Sequence, residues 1–182
     1  MLYILRHGKT DWNTVFRLQG KTDVPLNDEG RKMAEKAREE YKDLNFDVCF
    51  SSPLIRAYET ASIILKDKET PIITDERLSE MSFGICEGES HILERPELPV
   101  YTLFHDPASY KGVEQGETLE ELYERTGMFL REVVFPKLKN GEDILIVGHG
   151  AMNSSIICQI RELPIEEFPK MITGNCEMVQ LL

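Results

Sequence analysis

The sequence predicts an α/β protein, a three-layer α/β/α sandwich with a mostly parallel central sheet and a small cap insertion. Two near-continuous apolar runs, Leu2-Tyr3-Ile4-Leu5 and Ile144-Leu145-Ile146-Val147, read as strands buried on both faces of such a sheet. Apolar and helical patterns then alternate as β-α-β-α-β…α-β-α-β, the order of a layered α/β domain. Each of the two runs also ends in a histidine beside glycine, in Arg6-His7-Gly8 and Gly148-His149-Gly150. Ligands of open α/β sheets bind beyond the carboxyl ends of the strands, so these histidines fall where chemistry is expected.

The first strand (about 2–6) leads into a polar loop ending near Pro25-Leu26-Asn27. Gly30, Ala34, Ala37, Tyr41 and Leu44 recur at helical spacing and predict a helix over about 28–44, capped by Asn27 or Asp28. Asp47 to Ser51 forms a second strand, and Pro53 opens a helix through about Leu65. Pro71-Ile72-Ile73 suits a short strand. From Cys86 to Gly116 periodicity is lost among Pro96, Pro99 and Pro107, and this stretch is read as a lid or cap within one domain spanning 1–182. A long helix follows over about 117–135, then a strand at 143–147, a helix from about 151 and a last strand at 177–182.

Bulk composition narrows the functional classes. A length of 182 residues accommodates one sizeable core, and 41% hydrophobic with 29% charged residues is ordinary for a globular domain. The net charge of −11 argues against a nucleic-acid surface, which needs a basic stripe. It permits an anionic small molecule held by a local cluster of arginines. No apolar run approaches the roughly 20 residues of a membrane span. Cys49, Cys86, Cys158 and Cys176 are far apart and form no C-x-x-C pair, and nothing before the first strand resembles a signal peptide. A cytoplasmic protein with buried thiols is expected; oligomeric state is not legible.

Three segments, 6–13, 51–60 and 148–150, deliver side chains to one sheet edge. Arg56 lies in the first turn of its helix, where backbone N–H groups already favour an anion. Arg6, Arg56, His7 and His149 together suit a phosphoryl group without a metal. Each unit charge at about 4 Å contributes roughly 4 kcal/mol in a partly shielded site. A neutral His7 can attack phosphorus, provided that its other nitrogen donates to a carbonyl. The two arginines would disfavour its protonation. His149, if protonated, would bind phosphoryl oxygens. Glu80, after the third strand, is the candidate acid for the leaving oxygen.

Rival phosphate chemistries fail by count. The Walker-like endings Gly8-Lys9-Thr10 and Gly20-Lys21-Thr22 have Tyr3 and Val15 where the loop needs glycine. Cys49 stands seven residues before Arg56, whereas a tyrosine-phosphatase loop needs six. No zinc-type His or Cys spacing occurs.

These blocks resemble the histidine phosphatase superfamily, in its phosphoglycerate-mutase-like branch, nearly end to end. The opening block is Arg6-His7-Gly8-Lys9-Thr10 with Trp12-Asn13 and Leu18-Gln19-Gly20; Ser51-Ser52-Pro53-Leu54-Ile55-Arg56-Ala57 with Glu59-Thr60-Ala61 is similar to the second. Leu78-Ser79-Glu80 with Phe83-Gly84 and Glu87-Gly88, then Gly116-Glu117-Thr118 and Val147-Gly148-His149-Gly150, complete the set. Cys86 stands where many relatives carry tryptophan, and Thr118 where serine is usual. The resemblance implies His7 as the phosphorylated nucleophile and Arg6, Arg56 and His149 as the phosphate pocket. It adds Asn13 and Gly150 as further contacts and makes Glu80 proton donor and then base. Arg125 matches a frequent family position and is read as structural.

It also implies a metal-independent phosphomonoester phosphatase, without cofactor, acting on a small phosphorylated metabolite. The alternatives are a phosphoglycerate mutase or a non-catalytic phosphate-binding domain. Mutases of the family carry Arg-His-Tyr after the acidic residue, where this chain has Met81-Ser82-Phe83. The Phe83-to-Gly88 block resembles broad-specificity and α-ribazole phosphatases alike. Substrate choice is expected to lie with His91, Arg95, Tyr101, His105, Tyr110 and Lys111 of the cap.

Overall fold

The computed structural model describes residues 1–182. Its five-stranded sheet has the order β3-β2-β4-β1-β5, with β1 at Leu2–Arg6, β2 at Val48–Ser51, β3 at Ile72–Thr74, β4 at Ile144–Gly148 and β5 at Met178–Gln180. The first four are parallel, and β5 runs antiparallel to β1 at the edge. The register aligns Arg6 with Gly148 and Ser51 with Val147, so three segments leave the sheet side by side.

Strand alternation divides the core into two layers. Leu2, Ile4, Val48, Phe50, Ile144 and Ile146 face one side, against Leu119–Phe129 (α5) and Gly150–Ile160 (α7). Tyr3, Leu5, Cys49, Leu145 and Val147 face the other, against Asp28–Glu40 (α2) and Ile55–Ile64 (α3). Period-2 geometry makes this division automatic once both faces are apolar. The α/β/α sandwich expected from the sequence is thus the observed architecture.

Several boundaries shift for identifiable reasons. The polar loop after β1 contains a single helical turn, Asp11–Thr14 (α1), closed by a reciprocal cap between Thr10 and Asn13. Asn27, rather than Asp28, caps α2 by accepting from the Gly30 N–H at 2.8 Å. Helix α3 begins at Ile55, two residues after Pro53; Leu54 is its cap residue, and the Ser52 hydroxyl accepts from the Leu54 N–H at 3.2 Å. The helix expected to end near 135 instead runs on through a π-helical turn, Leu130–Val134, into Phe135–Lys139 (α6). Residues 86–116 hold short 3₁₀ turns and one six-residue helix, Val100–His105 (α4). Thr118 caps α5 through its hydroxyl, so the exchange from serine retains the capping oxygen.

Gly30 marks a close backbone approach between α2 and the segment after His7. A Cβ there would lie 2.0 Å from the Lys9 carbonyl oxygen. Gly30→Ala is therefore expected to cost about 1–3 kcal/mol through backbone displacement, read as a lower urea midpoint at unchanged slope.

Candidate active site

The two arginines are fixed by main-chain carbonyls rather than by ion pairs. Arg6 donates from Nη1 to Thr173 O at 2.7 Å. Arg56, 1% exposed, donates to Thr22 O at 2.9 Å and to Gly20 O at 2.7 Å. Glu87 in turn holds those carbonyls in place: it accepts from Lys21 N, Thr22 N, the Thr22 hydroxyl and Phe83 N at 2.6–3.1 Å. Gly20 permits this packing, because its φ is +56° and a Cβ would meet Glu87 Oε1 at 2.1 Å.

His7 is held from both sides of the chain. Its N–H donates to Gly148 O at 3.0 Å, and its carbonyl accepts from the Asn175 side chain at 2.8 Å. Gly8 N donates to the Thr60 hydroxyl at 3.0 Å, tying the turn to α3. His7 Nδ1 lies 2.6 Å from Gly8 O. A carbonyl can only accept, so Nδ1 carries the proton and Nε2 the lone pair. The carbonyl partner that the sequence reading required is thus present. Burial, then the charges of Arg56 and Arg6, push the His7 pKa well below the usual histidine range.

His149 is fully buried, with its ring centroid 5.2 Å from that of His7. Its N–H donates to Asn153 Oδ1 at 3.1 Å, and Nε2 lies 2.7 Å from the Ser52 hydroxyl. Burial, Arg56, His7 and Arg6 depress its pKa well below the usual value too. Its resting form is therefore neutral, and the protonated form considered from sequence is not the starting state. Arg6 and Arg56 are themselves lowered by burial.

Glu80 lies across the first turn of α7. Its Oε1 accepts from Met81 N at 2.8 Å and Met152 N at 2.9 Å; its Oε2 accepts from Ala151 N alone, at 3.2 Å. Asn13 spends its carbonyl oxygen on Thr10, so its amide nitrogen is left for the cavity. Arg6, His7, Asn13, Arg56, Glu80 and Gly150 all line one cavity of about 130 Å³, and His149 sits behind its wall. Cys86 is not part of that wall but lies in the core, where Phe83 reaches the cavity instead.

A larger cavity of about 750 Å³ adjoins the first and shares Arg6, Arg17, Leu18, Phe104 and Ile172 with it. Of the cap residues singled out in the sequence, His91 and His105 line this vestibule. The other four do not. Arg95 is drawn off by Glu89 and Glu97 at 2.5 and 2.8 Å. Tyr101 stacks on His105, Tyr110 turns into the core, and Lys111 is exposed. Arg125 pairs with Glu117 at 2.5 Å and donates to Arg77 O, a structural position.

Sequence reasoning gave no role to Thr173 or Asn175, nor to the hydroxyls of Ser52 and Thr60. Main-chain acceptors carry no residue signature, but Ser52, Thr60 and Glu87 lie inside the quoted blocks and were open to discovery there.

With fold and geometry established, comparison with known proteins places the chain. A family model for the histidine phosphatase superfamily (branch 1) matches residues 2–182, and the chain belongs to that superfamily, in its phosphoglycerate-mutase-like branch. It is 36% identical over 159 residues to the uncharacterized phosphatase PhoE of Bacillus subtilis, covering 86% of this chain and 75% of that one. It is 32% identical over 170 residues to a 2,3-bisphosphoglycerate-dependent phosphoglycerate mutase of Cytophaga hutchinsonii, covering 92% and 80% respectively. A mycobacterial glucosyl-3-phosphoglycerate phosphatase solved with VO3 superposes with a TM-score of 0.85 at 28% identity, over 97% of this chain and 90% of that one. The chain thus has the superfamily's catalytic chemistry, of phosphohistidine type, on a small phosphorylated substrate. No helix is long and apolar enough to cross a membrane.

The two neutral imidazoles carry a pH signature. Unfolded histidine titrates near 6.5, so below that value the unfolded chain binds up to two protons that the native one refuses. Stability is expected to fall as pH drops from about 7 towards the depressed native values, with a slope approaching about 2.7 kcal/mol per pH unit. Urea unfolding at about pH 7 and about pH 5.5 reads this loss. His7→Gln should show roughly half of it; an undiminished loss would place the proton uptake elsewhere.

Proposed function

We propose that the protein is a metal-independent phosphomonoester hydrolase, with 86–116 forming the cap of a single domain. One observation carries the reading. Arg6 Nε, Arg56 Nε and His149 Nδ1, on the two arginines whose charges act on His7 and on the imidazole 5.2 Å from it, are buried without a hydrogen-bond partner. Unpaired buried donors are costly, and an anion with several acceptor oxygens satisfies them together. With the Ser52 hydroxyl, which accepts from Leu54 N–H, donating to His149 Nε2, the ring proton lies on Nδ1, and in that tautomer Nδ1 is a donor for the anion. The VO3 bound by the mycobacterial relative is an oxyanion of the same kind.

His7 Nε2 attacks phosphorus while the ester P–O bond breaks. Glu80 receives the proton that the ester monoanion brings and passes it to the alcohol oxygen; its Oε2 is the less engaged oxygen. Water then attacks the phosphohistidine, gives its proton to the Glu80 carboxylate, and the P–N electron pair returns to Nε2. Arg6, Arg56, Asn13 and His149 hold the three equatorial oxygens, worth most in a site closed to water. No group of three or more His, Cys, Asp or Glu side chains is placed to hold a metal ion. Mutase-named relatives support phosphoryl return as a second reading. Against it, Met81 and Phe83 are buried apolar residues at positions where mutases of the family carry polar ones.

His7→Ala should abolish turnover and covalent phosphate capture together; retained turnover would show that the nucleophile is another residue. Glu80→Gln should slow esters of poor leaving groups most, by roughly 10²–10⁴-fold, whereas uniform slowing would remove its acid role. Phosphate release from a simple monoester should need no bisphosphate primer and should survive EDTA. Dependence on the primer would favour the mutase reading.

A further inference from the structure

Phe16 and His91 form an unusual pair at the rim of the vestibule. Phe16 follows the last turn of α1 at φ +52°, a position where helices normally place glycine. His91 enters the Ile92–Glu94 turn at φ +55° and makes no capping hydrogen bond. A bulky side chain in the left-handed region costs conformational energy. Burial does not repay that cost, because Phe16 remains 70% exposed even with the His91 ring 5.4 Å away. Backbone bonds pin the pair: His91 N donates to Phe16 O at 3.0 Å, Leu18 N to Glu89 O at 2.9 Å, and Gly88 N to Leu18 O at 2.8 Å. The same strand of chain continues into Gln19 and Gly20 of the phosphate cavity, so the platform is registered to the reacting centre.

Two further rings face the same vestibule. Phe104 borders both cavities, and His105 is locked on Tyr101 at 3.7 Å and 11°. Leu18, Ile92, Leu93, Pro169 and Ile172 complete a chiefly carbon surface. Beyond Arg6, the vestibule offers one arginine, Arg17, which lies over Trp12, and one opposing carboxylate, Glu94. Such a wall suits a flat, uncharged group better than a second anion.

We propose that Phe16 and His91 are the specificity platform of this enzyme. Preferred substrates are phosphate monoesters whose alcohol carries an uncharged aromatic ring a few bonds from the ester oxygen. This rests on the phosphatase reading for the reaction but not for the binding. The test therefore measures binding and turnover separately. Phenethylphosphonate, cyclohexylethylphosphonate and ethylphosphonate are titrated calorimetrically into the full-length protein. Phenethylphosphonate should bind about tenfold more tightly than the ethyl compound and about threefold more tightly than the cyclohexyl one. Phe16→Gly suits the left-handed backbone, so its melting temperature should match or exceed that of the parent, while the phenyl-over-ethyl ratio drops at least about threefold. Equal affinities for phenethyl and ethyl, parity of the flat and puckered rings, or an unchanged ratio in Phe16→Gly would each overturn the proposal. Phenethyl phosphate is assayed for phosphate release in parallel. Ring preference without release would support the platform and overturn the hydrolase reading alone.

Discussion

Two guanidinium groups, Arg56 buried and Arg6 half-buried, held without a carboxylate in contact are the constraint around which this molecule is organised. Removing an ion from water costs several kcal/mol even after relaxation, and the chain offsets this for Arg6 and Arg56 with carbonyl dipoles from Gly20, Thr22 and Thr173. Carbonyls steady a cation while leaving its charge uncancelled. Direct ion pairing would consume the field that an anionic substrate needs. Glu80 supplies a moderating negative charge from across the site, aimed at the start of α7 rather than at either arginine.

That uncompensated field explains the state of both imidazoles and links packing to chemistry. Each ring lies in a shell that excludes water and feels two cations, so each stays neutral. For His7 neutrality leaves a lone pair available. For His149 it leaves a single ring proton, shared out between Nε2 beside the Ser52 hydroxyl and the unpartnered Nδ1. The same arrangement lets a protein of net charge −11 concentrate positive potential at one sheet edge.

Much of this was legible in the sequence because it lies on period-2 strands and at strand ends. The apolar runs before His7 and His149 defined buried parallel strands, and strand-edge logic then brought Arg6, Arg56, Glu80, Asn13 and Gly150 into one cavity. The antiparallel sense of β5 was not legible, since three residues of half-buried strand carry no directional signal. The π-helical turn at Leu130–Val134 and the short helix after Thr10 are likewise settled by packing and capping, below what periodicity resolves. Within residues 86–116, composition pointed to six residues, yet only His91 and His105 reach the vestibule. Ion pairing drew Arg95 away and the core claimed Tyr110, outcomes that depend on neighbours remote in sequence.

The contacts from Arg6 to Thr173 and from Asn175 to His7 span 167 and 168 residues. Bringing such distant chain segments together carries a loop-closure cost that the packed sheet must offset. Competence to capture an anion thus depends on the segment leading into β5 being seated beside β1, because Thr173 holds Arg6 and Asn175 holds the His7 carbonyl. Both holds are lost together if that segment detaches.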